Sequence, residues 1–166
     1  MEKIQGYKQA GKPIVYLDES GFAKDMPRTH GYSKRGTRCY GKHDWHARGR
    51  VNVIGAMNAS QKGLMTLGLF ETTINSDVFF AWLTQDLLPK MPRQAVMVMD
   101  NARFHKRADI IQAIHQQAII LEYLPPYSPD LNPIEHQWAK AKAIRRQKRC
   151  GIDELFSKHI TMTDYG

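Results

Sequence analysis

Two short, unbroken apolar runs in this chain each lead straight into an aspartate. They are Ile14-Val15-Tyr16-Leu17 before Asp18, and Ala95-Val96-Met97-Val98-Met99 before Asp100. Runs of this length without polar gaps read as β-strands buried on both faces. Such strands need covering layers above and below, so the chain is expected to be α/β, with helices packed on a sheet. A third run, Ile119-Ile120-Leu121, is followed by Glu122-Tyr123-Leu124 and then prolines, and reads the same way.

Two more strands are expected at Arg50 to Met57 and Leu64 to Phe70, joined by a hairpin turn over Asn58-Ala59-Ser60-Gln61-Lys62-Gly63. Helices fill the gaps. Asn75 or Ser76 can cap one that runs to about Leu88, with Val78, Phe79, Trp82, Leu83 and Leu87 at helical spacing and Pro89 and Pro92 as stops. A second is expected from about Arg107 to Gln117, burying Ile110, Ile111 and Ile114. A third begins near Pro133 with Asn132 as its cap and a stripe of Ile134, Trp138, Ala141 and Ile144. The expected architecture is a mixed five-stranded sheet flanked by helices, with the first strand ending at Asp18.

The 166-residue chain suits one domain able to bury a core. No segment approaches the roughly 18 apolar residues of a membrane span, and the first residues lack the apolar centre of a secretory signal. A soluble, intracellular protein with no membrane partner is the expectation. Cys39 and Cys150 form no CxxC pair and no zinc spacing, and read as ordinary packed cysteines. The net charge is +8 and the isoelectric point about 9.6, which favours an anionic partner, nucleic acid above all.

Asp18 alone reads equally as a turn acid or as a ligand at the end of a strand, where α/β sheets gather their ligands. Asp100 repeats the pattern, and neighbouring strands would deliver both carboxylates side by side. Close carboxylates repel, and a divalent cation removes that cost; oxygen-rich sites suit magnesium or manganese. Glu135 follows a loop stiffened by Pro125, Pro126, Pro129 and Pro133, which holds the start of its helix in one place. A first-turn glutamate also complements the helix dipole with no further role; the rigid loop and two strand-end aspartates favour a ligand.

Three segments carry a resemblance: Asp18-Glu19-Ser20-Gly21, Met99-Asp100-Asn101-Ala102-Arg103-Phe104-His105, and Pro125-Pro126-Tyr127-Ser128-Pro129-Asp130-Leu131-Asn132-Pro133-Ile134-Glu135. They resemble the catalytic motifs of the mariner superfamily of transposases, most closely its bacterial insertion-sequence branch. Thirty-four residues separate Asp100 from Glu135, the interval familiar in that superfamily. The resemblance covers roughly residues 12 to 150. It implies a ribonuclease H-like fold, with Asp18, Asp100 and Glu135 as a catalytic triad of metal ligands. It implies Mg2+, with Mn2+ as substitute and two ions bound. It implies cleavage of double-stranded DNA at transposon ends, and transfer of the freed 3′-hydroxyl into target DNA by a homodimer in the bacterial cytoplasm. The whole of residues 1–166 is then a single catalytic domain, without the N-terminal helix-turn-helix region of the family.

Other residues are open to two readings. His105 and His136 flank two of the acids and can touch a phosphate or a water, or be ordinary surface histidines. Asn101 can orient Asp100 or cap a turn. Trp138 reads as core. Between residues 28 and 50, basic side chains including Arg35, Arg38, Lys42 and Arg48 alternate with Tyr32, Tyr40, Trp45 and His46. That mixture suits phosphate contact with base stacking, or a solvated hairpin. Lys142, Arg145, Arg146 and Arg149 continue the Glu135 helix as a second candidate DNA surface. Rival readings are a catalytically inactive DNA-binding or assembly remnant, and another ribonuclease H-like nuclease.

Overall fold

The apolar runs lie at the centre of a five-stranded sheet. The computed structural model describes residues 2–24, 49–61, 63–101, 106–126 and 128–160. Strand β1 spans Ile14–Ala23, β2 Arg50–Asn58, β3 Thr66–Phe70, β4 Val96–Met99 and β5 Ile120–Tyr123. Their order across the sheet is β3-β2-β1-β4-β5. The pairs β1–β2 and β2–β3 are antiparallel, whereas β1–β4 and β4–β5 are parallel. The sheet is mixed, as expected, and its parallel pairs need crossovers rather than tight turns. Helix α3, Ala108–Gln116, supplies the one between β4 and β5.

Side-chain alternation divides the core between the two faces. Val15 and Leu17 of β1, Ile54 and Ala56 of β2, and Met97 and Met99 of β4 meet Ile110 and Ile114 of α3. The same face carries Phe79 and Trp82 of α2, Ser76–Trp82. On the other face, Phe22, Val51 and Val53 pack against Ile134, Trp138 and Ala141 of α4, Ile134–Lys148. Ile14, Tyr16, Val96 and Val98 on that face meet Ile4 of α1, Glu2–Gln9. No helix of the described residues is long and apolar enough to cross a membrane.

Several expectations shift. β1 does not end at Asp18 but continues to Ala23, because β2 pairs with it residue by residue from Val15 to Ala23 and Phe22 is buried against α4. The α-helical register after Asn75 ends at Trp82. It widens into a π turn at Leu83–Leu87 and closes as a 3-10 turn at Leu88–Lys90 that contains Pro89. Thr84 Oγ1 bonds back to the Phe80 carbonyl at 2.8 Å, a contact that competes with regular helix bonding. Ile111 is only half buried, since it is rotated off the α3 face that carries Ile110 and Ile114. β5 is an edge strand and half buried, not buried on both faces. Helix α1 and the short α5, Ile152–Glu154, with its π-turn extension at Leu155–His159, complete the described structure. Neither was expected from the sequence.

Candidate active site

The register of β1 against β4 sets the site. Tyr16 stands opposite Val98 in this parallel pair. Two residues further along are Asp18, still within β1, and Asp100, the first residue past the end of β4, and both border one cleft. β4 ends at Met99, so β1 loses its neighbour on that side just where Asp18 emerges. Asp18 is therefore a mid-strand residue beside a strand end.

Glu135 reaches the same place from α4. Asn132, buried just before the helix, donates its Nδ2 to the Leu17 carbonyl at 3.1 Å. Its Oδ1 accepts the Ile134 N–H at 3.3 Å, and its main-chain oxygen accepts the Glu135 N–H at 3.0 Å. The helix begins at Ile134, one residue later than expected, with Pro133 at φ −64° preceding it. One asparagine thus satisfies two first-turn donors and ties that turn to the residue before Asp18.

Asp18 is 9% exposed. Its Oδ2 accepts the indole N–H of Trp138 at 3.2 Å. Gly55 lies opposite Asp18 on β2, beneath the same indole; a Cβ added there would come 2.8 Å from Trp138 Cη2. Burial pushes the Asp18 carboxyl up to about 8, aided by a hydrogen bond with the Glu135 carboxyl and by the charges of Glu135 and Asp100. The main-chain N–H of Glu19 opposes this shift by hydrogen-bonding to Asp18.

Asp18, Asp100 and Glu135 together line a cleft of about 350 Å³. Asn101, Ser128 and Asn132 add polar groups, and Leu124, Pro125 and Pro126 form an apolar wall. His136 is exposed, beside Glu135 on α4, and does not line the cleft. His105, Arg35, Arg38, Lys42 and Arg48 lie outside the described residues.

On the basic part of α4, Arg146 and Arg149 are exposed, while Lys142 lies over the Phe22 ring at 5.1 Å. Arg145 departs from the expected DNA surface because it is buried, at 5% exposure. Its guanidinium donates to the carbonyls of Cys150 at 3.1 Å and Lys24 at 3.3 Å, and also to that of Ala23. It clamps the end of β1 to the end of α4. The roles of Trp138 and Asn132 at the site were missed at the sequence level. The available signal was spacing: Trp138 follows Glu135 by three residues and therefore lies near it on the helix.

The donor set fits a hard divalent cation, since three carboxyl and two carboxamide side chains border one cleft and a buried carboxyl there is costly to ionise alone. Among the described residues, no three His, Cys, Asp or Glu side chains stand as a ready-made metal-holding group. Asp18 and Glu135 instead share a hydrogen bond, the arrangement by which two close carboxyls avoid repulsion.

A family model described as DDE superfamily endonuclease matches residues 13–154. The chain belongs to that family. Solved structures share the fold of this DDE-family chain. The catalytic domain of Mos1 mariner transposase matches with a TM-score of 0.68 and 15% identity, over 98% of this chain and 78% of that one. A Mos1 paired-end complex with the left transposon end matches with a TM-score of 0.70 and 17% identity, over 99% and 53%. The Mos1 catalytic domain with raltegravir and Mn matches with a TM-score of 0.66 and 16% identity, over 97% and 77%. The chain spans about half the length of the longer Mos1 chains. Among curated proteins, none matches it. The mixed sheet flanked by helices is the ribonuclease H-like fold of these structures.

Proposed function

We propose that this chain is the catalytic domain of a DNA transposase of the mariner type, in its bacterial insertion-sequence branch. It cleaves DNA at transposon ends and joins the freed 3′-hydroxyl to target DNA as part of a homodimer. The observation that carries the reading is the meeting of Asp18, Asp100 and Glu135 in one cleft of a DDE superfamily endonuclease. Further support comes from relatives of the same fold solved with transposon-end DNA and with Mg or Mn.

In this reading Asp18, Asp100 and Glu135 would hold the divalent metal, with room in the scheme for two ions. Bound Mg2+, or Mn2+ in its place, supplies charge stabilisation to the attacking and leaving oxygens of an in-line phosphoryl displacement. The three acids serve as ionised ligands, so Asp18 must give up its proton for the site to fill. Asn101 and Ser128 stand at the cleft with hydrogen-bonding groups for a phosphate oxygen. Leu124, Pro125 and Pro126 limit the water that reaches a phosphodiester bound beside the carboxylates. No covalent protein intermediate is required, because the nucleophiles are water and then a 3′-hydroxyl.

The test is a strand-transfer assay with labelled transposon-end DNA, target DNA and Mg2+ or Mn2+. Products joined to target support the transposase reading. Cut but unjoined products favour a nuclease, and DNA binding without cutting favours an inactive remnant.

A further inference from the structure

The carboxylates account for metal binding, but the buried indole that touches one of them has no part in that account. Trp138 is 3% exposed and lies on α4, three residues after Glu135. Its N–H donates to Asp18 Oδ2 at 3.2 Å, within ordinary hydrogen-bond range. A buried indole N–H usually finds an acceptor, yet burial alone does not impose one in this protein. Trp82 is equally buried, at 3%, and its Nε1 has no hydrogen-bond partner among the described residues. The Trp138 ring is also held in place. Phe22 meets it edge-on with centroids 6.5 Å apart, and Gly55 leaves it the space that a Cβ would take.

We propose that Trp138 is a positioning residue. Its N–H fixes one oxygen of Asp18, so that the carboxylate offers the cleft a single orientation, and Gly55 permits this by leaving the edge of the indole the space that a Cβ on β2 would fill. The inference rests on the reading of Asp18 as a metal ligand. Partners of this outer kind commonly govern ligand affinity by about 10- to 100-fold. Because α4 carries both Glu135 and the group that orients Asp18, a shift of the helix would move two ligands of the site together.

The experiment is Mn2+ binding by the whole chain, followed by electron paramagnetic resonance of the free ion, with thermal unfolding of each variant in parallel. Trp138→Phe keeps an aromatic ring and removes the donor; it is expected to weaken Mn2+ binding by about 10-fold or more while remaining folded. Gly55→Ala keeps the donor but displaces the ring, and is expected to weaken binding in the same direction. A folded Trp138→Phe with wild-type affinity overturns the proposal and leaves Trp138 as packing alone. Asp18→Asn separates the two levels: if it binds Mn2+ as well as wild type, or if wild type binds none, the carboxylate reading falls and this inference falls with it. Should Trp138→Phe not fold, the wild-type indole N–H resonance decides. A shift on addition of Mg2+ supports the coupling, and an unmoved resonance under saturating Mg2+ overturns it.

Discussion

Asn132 donates its side-chain amide to the main-chain oxygen of Leu17 at 3.1 Å, which ties the first turn of α4 to β1 one residue before Asp18. The bond is buried, and Asn132 is 3% exposed. It joins two segments far apart in sequence and brings Glu135 to the aspartates.

Asn132→Ala should therefore leave the Leu17 carbonyl and the Ile134 N–H without these partners. We expect a loss of about 1–3 kcal/mol in stability, read by chemical denaturation, and reduced strand cleavage as Glu135 loses its fixed position. An unchanged denaturation midpoint would argue that the tie contributes little.

Asp100→Asn keeps size and removes charge. Under the proposed mechanism it should abolish cleavage and joining, by more than about a thousandfold, while DNA affinity stays near wild type. The paired measurements are single-turnover cleavage and filter binding. Loss of both together would count against a ligand role.

The pH dependence follows from Asp18, whose carboxyl is pushed up to about 8 from an ordinary value of 3.8. Between these values the folded protein holds a proton that the unfolded chain releases. Stability from this group is fully present below about 4 and is lost as pH rises through about 8. Without added metal, thermal stability should fall as the pH rises from about 5 to about 8.5, and Asp18→Asn should flatten that fall. Metal affinity should run the opposite way and rise with pH, because binding displaces the proton. A wild-type profile as flat as that of the variant would refute the assignment.

Two arginines one residue apart should behave differently. Arg145→Lys loses the forked donor that holds several carbonyls, and should cost about 1.5–3 kcal/mol or more in stability. Arg146→Ala, at an exposed site, should change stability by less than about 0.5 kcal/mol. If Arg146 contacts phosphate, its loss should weaken DNA binding for all sequences and lower the salt slope by about one. Salt-dependent DNA binding and denaturation, measured on both variants, separate clamp from contact.

Much of the sheet could be read locally, because buried central strands require unbroken apolar runs. Val96–Met99 shows this directly. The end of β1 could not. Asp18-Glu19-Ser20-Gly21 has the composition of a turn, and only pairing with β2 and burial of Phe22 keep it extended. Likewise Arg145 looks like its neighbours in a basic run, and only the carbonyls of Ala23, Lys24 and Cys150 distinguish it. Helix α1 has a weak apolar pattern of its own. It is held by Ile4 packing on β1 and β4, and by Tyr7 donating to Glu122 at 2.7 Å.

By itself the sequence determined the chemical groups of the site, the α/β class and the family motifs, since strand apolarity, turn prolines and carboxylate identity are local properties. Only the tertiary structure decided that Asp100, just past β4, meets Asp18 of β1 in one cleft, that Glu135 shares a hydrogen bond with Asp18, and that Trp138 and Asn132 brace them. These are contacts between residues up to 120 positions apart. No local pattern encodes them, because strand register and helix docking are set by the burial of the whole core.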